Sequence, residues 1–231
     1  MAKVGIAGFK IKIVIAFIVI LIASAVYLLG WSSFFTVKEI TVVGAPTTVA
    51  ARIIEQTSQI TKGERLARLE PPAVRSLLEN ISWLDHSTLN SNWFRGSVLI
   101  QVWPRRPIAT YQGQFVDRAG VVFDLPNINV GDLPLISASD SSSLQFAVSL
   151  LTQLPATLRS QLVELKTRGS NSATLTLNDF SRGSASVLQV IWGDRSEMAL
   201  KVKVYQALIA LPENAKISRI DLSAPHAVIV K

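Results

Sequence analysis

Cysteine is absent from the 231 residues, so this chain has no disulfide framework, thiolate zinc site, iron–sulfur cluster or cysteine nucleophile, although nothing bars an oxidising compartment. Histidine is scarce: His86 and His226 stand alone and far apart in sequence, leaving little imidazole chemistry. Charged residues make up 17%, too few for a charged coiled coil, while 49% hydrophobic residues are too many for a disordered tail or a collagen-like rod. No Walker loop, GxGxxG, GxSxG, HExxH or CxxC occurs. No catalytic residue, metal ligand, cofactor or small-molecule substrate is therefore expected. The net charge of +7 includes Lys3, Lys10 and Lys12 ahead of the first apolar run, so the remainder is an ordinary surface balance and no nucleic-acid partner is expected.

What is present begins with that run. From Ile13 to Phe35 no residue is charged, and as a helix the segment would be roughly 35 Å long against a hydrocarbon core of about 30 Å. A tail over 1–12, a transmembrane helix over 13–33 and two later domains over 34–103 and 104–231 follow. Three lysines before the span and none until Lys38 after it place the N-terminus in the cytoplasm, with Tyr27 and Trp31 at the far interface. A cleaved signal peptide competes, because Ala23-Ser24-Ala25 is a small-x-small site, but Val26 to Leu29 continue the apolar run past it. A buried core helix would keep a polar stripe, and this one has none.

Beyond the span, Phe35–Gly44 reads as a strand whose apolar positions Val37, Ile40 and Val42 slip phase once, as at a bulge. A helix capped by Thr47 or Thr48 runs to about Thr57, and a second opens on Pro71 and Pro72 with Val74, Leu77, Leu78 and Ile81 at helical spacing. Strands over Leu84–Ser91 and Val98–Trp103 follow, turned near Arg95-Gly96, giving a β-α-α-β-β order. In the second block, short strands flank Asp117-Arg118-Ala119-Gly120, and Ser137–Ser143 is polar and loop-like. Leu144, Val148, Leu151 and Leu154 make a helical stripe, with strands at Leu162–Lys166, Ala173–Leu177 and Ser186–Trp192. Asp194 and Glu197 have the spacing of a reciprocal N-terminal cap, predicting a helix to Pro212 with Lys201 and Lys203 outside. Ile217–Leu222 and Ala227–Val230 are the last two strands.

Isolated polar features carry no reaction. His86 reads as an exposed strand residue and His226 as a turn residue; Asp117 and Asp124 read as turn chemistry, and Arg105-Arg106 as charge on a strand edge. Trp83, Trp93, Trp103 and Trp192 read as core or rim packing. A membrane-anchored cell-wall enzyme would need an acidic pair or nucleophile in a cleft, and no such pattern stands out.

The basic tail, single span and F-T-V-K-E-I-T-V-V-G (Phe35–Gly44) resemble the bacterial FtsQ/DivIB cell-division family. Further matching pieces follow in order: I-S-W-L at Ile81, R-R-P-I-A-T-Y from Arg105, V-D-R-A-G-V-V-F from Val116, L-P-L-I from Leu133, V-I-W-G-D from Val190 and I-D-L-S-A-P from Ile220. Two positions depart from the family pattern: Pro104 stands where Glu is usual, and Phe94-Arg95 replaces the usual Pro after the Trp. The resemblance implies an α+β protein with a POTRA (polypeptide-transport-associated) domain of β-α-α-β-β order, then a mostly antiparallel β domain with flanking helices. It further implies a non-enzymatic scaffold of the inner membrane at the division septum, joining FtsB and FtsL and helping to regulate septal peptidoglycan synthesis. Its partner-binding site would comprise Ala227, Val228, Ile229 and Val230 with Asp221 and Leu222. A terminal strand at a sheet edge can add a strand from another chain, so proline at Val228 or Ile229 would remove a donor from it. Val98–Trp103 is a second, weaker edge candidate. A POTRA-type transport or envelope-assembly factor remains the alternative.

Overall fold

The computed structural model describes residues 4–31, 35–126, 131–179, 186–214 and 216–231, and places the chain in two units, Met1–Pro104 and Arg105–Lys231. The first residues of the expected tail and residues 32–34, at the expected end of the span, lie outside the described residues.

Unit one begins with α1 (Val4–Trp31), a continuous helix whose described apolar side chains, Ile13 to Tyr27, are exposed. Side chains are described for 12–27, a stretch of about 24 Å at 1.5 Å per residue. Among the described residues no helix is long and apolar enough to cross a membrane.

Five elements follow: β1 (Glu39–Val43), α2 (Thr48–Ser58), α3 (Pro71–Leu78), β2 (Leu84–Asn92) and β3 (Ser97–Pro104). Thr47 caps α2 by accepting from the Ala50 N–H at 3.1 Å, and two prolines supply the first turn of α3, where a missing N–H costs nothing. The strands lie in the order β1-β3-β2, with β1 parallel and β2 antiparallel to β3. Alternation along β3 buries Val98, Ile100 and Val102 with Ala50, Ile54, Val74 and Leu78 from the helices. Two expectations change. Val98–Trp103 is the central strand, paired on both sides, so it offers no edge. The phase slip at Val37 is not a bulge in β1: Val37 pairs separately, its N–H donating to Glu64 O and its carbonyl accepting from Gly63 N–H, before the strand starts at Glu39.

Unit two contains β4 (Ala109–Tyr111), β5 (Gln114–Val116), β6 (Val122–Phe123), β7 (Leu135–Ala138), α4 (Ser141–Gln153), α5 (Ala156–Gln161), β8 (Leu162–Arg168), β9 (Ser172–Asp179), β10 (Ser186–Gly193), α6 (Met198–Ala210), β11 (Arg219–Asp221) and β12 (Ile229–Val230). Its sheet has the order β12-β11-β10-β9-β8-β7-β4-β5-β6 and is mixed: β4 with β7, β7 with β8 and β10 with β11 run parallel. The last two parallel pairs are bridged by helices, as parallel neighbours require. One core joins Leu165, Leu175, Leu177, Leu188, Val190 and Trp192 of the sheet to Leu150 and Leu151 of α4 and Tyr205 of α6.

Ser137–Ser143, expected as a loop, instead ends β7 and starts α4. Asp140 is the cap: its Oδ1 accepts from Ser143 N–H at 2.8 Å and Ser142 Oγ–H at 2.6 Å, and its Oδ2 accepts from Ser139 Oγ–H. Those bonds, led by that from Ser142, hold its carboxyl well below the usual range. Arg105 is not an edge charge but donates to Asp117 Oδ2 at 2.8 Å, while Asp117 Oδ1 accepts from Ala119 and Val121 and shapes the turn.

Candidate partner-binding edge

β12 closes one end of the nine-stranded sheet, and among the described residues nothing pairs with its outer margin. It pairs antiparallel with β11 in the register Ile220↔Val230 and Asp221↔Ile229. Arg219 and Lys231 exchange both backbone hydrogen bonds, at 3.0 and 2.9 Å. Antiparallel ladders alternate bonded with non-bonded pairs, so Ile220↔Val230 is non-bonded and the Val230 N–H and C=O turn outward. Ile229, opposite Asp221, turns its groups inward.

The six expected residues thus divide. Ile229 and Val230 form the strand, with side chains 57% and 39% exposed. Val228 is half-buried against the core, and Ala227 lies in the preceding turn, its N–H donating to Ala224 O at 3.0 Å. The strand is therefore shorter than Ala227–Val230. Asp221 is half-buried behind the edge, and its Oδ1 accepts from the Ser223 N–H at 3.0 Å and Ser223 Oγ–H at 2.6 Å, fixing the turn out of β11. Leu222 is fully buried and donates its N–H to Ile191 O, so it supports the edge from within the core rather than presenting a surface.

Sequence reading missed what holds this margin. The expected reciprocal cap at α6 does not form: Glu197 takes a left-handed conformation at the N-cap with no capping side chain. Asp194 Oδ1 instead accepts from Ser196 N–H and Oγ–H and from Lys201 Nζ–H at 3.0 Å, and Nζ also donates to Asp194 O. Lys201, expected outside, is fully buried. Its stem packs in the core while its ammonium ties α6 back onto the β10–α6 turn. These bonds, the Ser196 hydroxyl's first and Lys201's next, lower the Asp194 pKa to about 2.

Glu197, freed from capping, lies 2.9 Å from His226 Nε2, linking the start of α6 to the loop that enters β12. Gly193 completes the support. Its φ of +72° suits glycine, and a Cβ there would meet Ser223 Cα and Cβ at 3.1 Å, so the end of β10 and the β11–β12 turn approach as closely as they do only because residue 193 lacks one. The signal for Gly193 was visible as a glycine ending a strand. The Lys201 contact is set by the shape of the turn between β10 and α6, and the His226 contact joins residues 29 apart, so neither leaves a local trace.

Elsewhere, among the described residues, no three His, Asp or Glu side chains gather as a metal site. The arrangement defines a class of protein: a two-unit α+β chain whose second unit ends a large mixed sheet in an uncovered strand, a form suited to binding another chain.

The comparisons narrow that class. The family described as "Cell division protein FtsQ/DivIB, C-terminal" matches residues 108–223, and the chain belongs to the FtsQ/DivIB family. It is 29% identical over 221 residues to the cell division protein FtsQ of Streptomyces bingchenggensis, covering 88% of this chain and 79% of that one. The Haemophilus influenzae FtsQ is 30% identical over 143 residues, covering 56% of this chain and 55% of that protein, and the Salinibacter ruber FtsQ is 23% identical over 229 residues, covering 90% and 87%. A role in cell division follows from this membership.

Proposed function

We propose that the chain is a non-enzymatic scaffold of the division machinery. In this reading α1 anchors it in the cytoplasmic membrane with the N-terminus inside, both units stand on the far side at the septum, and unit one is a POTRA domain. The outer margin of β12 takes a strand from FtsB or FtsL-type partners, and through them the protein helps to regulate septal peptidoglycan synthesis. The single observation that carries the reading is the uncovered β12, with Val230 turning a donor and an acceptor outward between exposed apolar side chains. The β-α-α-β-β order of unit one and the exposed apolar face of α1 support the remainder.

The test is capture of FtsB and FtsL from the same genome by the detergent-solubilised full chain, with β12 as the variable. Capture that depends on β12 supports the reading. Capture that survives disruption of β12, or no capture at all, refutes the edge mechanism.

A further inference from the structure

The β2–β3 hairpin carries a feature that the partner edge does not use. Its tip is Trp93-Phe94-Arg95-Gly96, and the Phe94 side chain is 94% exposed, with no protein packed on it. A phenylalanine at a hairpin tip gains nothing for the fold in that position and exposes apolar surface to water.

The surroundings are specific. The Trp93 ring lies 6.1 Å from that of Phe35, so the tip touches the segment leaving α1. Because α1 ends at Trp31 and Phe35 is four residues later, covalent reach alone keeps Phe35 within about 14 Å of the helix end. Lys38 donates its N–H to Gly96 O at 2.7 Å, and its methylenes lie against Gly96, putting its ammonium stem beside the tip. Arg95 is exposed, and its backbone N–H is held by Asn92 Oδ1 at 3.1 Å, so the turn is fixed while the guanidinium projects into solvent. Thr36 bridges to Arg65, and the following 3-10 turn, Leu66–Arg68, packs near α1. Aromatic and cationic groups thus gather at the end of the unit where the apolar helix emerges.

We propose that this tip is a second membrane contact: Phe94 and Trp93 enter the headgroup layer of an anionic bilayer, while Arg95 and Lys38 bind its lipid phosphates. Aromatic side chains favour that layer, and cations beside them are drawn to its negative surface. The contact rests on the reading of α1 as the anchor, because only then does the helix end bring the tip to the lipid surface. Its effect is orientational: a unit held at two points on a bilayer no longer swivels freely about its tether.

The absence of cysteine makes the test direct. The full chain is reconstituted into vesicles of phosphatidylcholine with or without phosphatidylglycerol, carrying one bimane label at Ser91→Cys, near the tip, or at Ala25→Cys, within α1. Nitroxide on the lipid headgroup quenches the first reporter and bromine on the acyl chain the second. The expected result is quenching at both sites, at least two-fold stronger at Ser91→Cys in anionic vesicles, and loss of that headgroup quenching when Phe94→Ser and Arg95→Ser are added. Both replaced side chains are exposed, so the circular dichroism spectrum should not change. Quenching at Ala25→Cys without quenching at Ser91→Cys overturns the tip contact while leaving the anchor standing. Quenching at Ser91→Cys that persists in the doubly substituted chain also overturns it, since nearness alone then suffices. No quenching at Ala25→Cys overturns the anchor and the tip contact with it.

Discussion

Lys201 buries a cation in a largely apolar core, and the cost of doing so is offset chiefly by the Asp194 carboxylate, with the Asp194 carbonyl as a second acceptor. Asp194→Asn should lower stability by roughly 1–2 kcal/mol, read by urea unfolding at neutral pH, because the ammonium keeps a weaker acceptor. The pH dependence has a definite sign. The folded-state carboxyl titrates at about 2 against 3.8 in the unfolded chain, so its contribution is complete above about pH 4 and is lost as pH falls toward 2. The carboxylate is half-exposed and solvent screens it, so this acid-side component should be modest, and it should vanish in Asp194→Asn. Gly193→Ala should cost about 1–3 kcal/mol in the same assay, from a forced positive φ and the clash with Ser223. A variant as stable as the parent would mean the β11–β12 turn can move aside without loss.

These residues also show where sequence reading stops. Thr47, Pro71 and Asp117 act within a few positions of themselves, and their roles are visible in the sequence because capping and turn chemistry are local. Lys201 reads as a surface lysine on an amphipathic helix because its partner lies seven residues back around a turn whose shape only the folded chain sets. The D-x-x-E spacing at Asp194 misleads for the same reason: Ser196 and Lys201 claim the aspartate before the helix can.

At the scale of elements, long strands are legible from alternation, whereas their places in a sheet are not. Val98–Trp103 has the clearest period of two in unit one, yet that regularity marks the strand buried on one face and paired on both sides. β12 has only two residues, too few for any period to register, and it is the margin. Its register refines the proline test. Val230→Pro removes an outward donor and leaves the bonds to β11 intact, so FtsB capture should weaken about ten-fold or more with an unchanged melting temperature. Ile229→Pro removes an inward donor, so capture and melting temperature should fall together. Equal capture by Val230→Pro and the parent chain would remove main-chain pairing from the mechanism.

For the whole molecule, the order of elements in unit one is legible in the sequence, whereas in unit two β7 and α5, four and six residues long, are too short to read, and the parallel crossovers that set the sheet order go with them. A protein of this family acting as proposed should concentrate at mid-cell as a fluorescent fusion, and its depletion should give filaments without septa. Diffuse signal with normal septation would count against the scaffold role. An intermediate outcome is informative too: a chain carrying Val230→Pro should still reach mid-cell if recruitment uses unit one, yet fail to restore septation in depleted cells.

The outward register of β12 bears on how a partner would be held. Within the strand Val230 turns one donor and one acceptor outward, and each main-chain bond it made with a newcomer would contribute about 1 kcal/mol net. If a partner adds to this margin as proposed, main-chain bonds alone would make a join that dissolves readily, so the side chains it buries beside Ile229 and Val230 would set how long the assembly lasts.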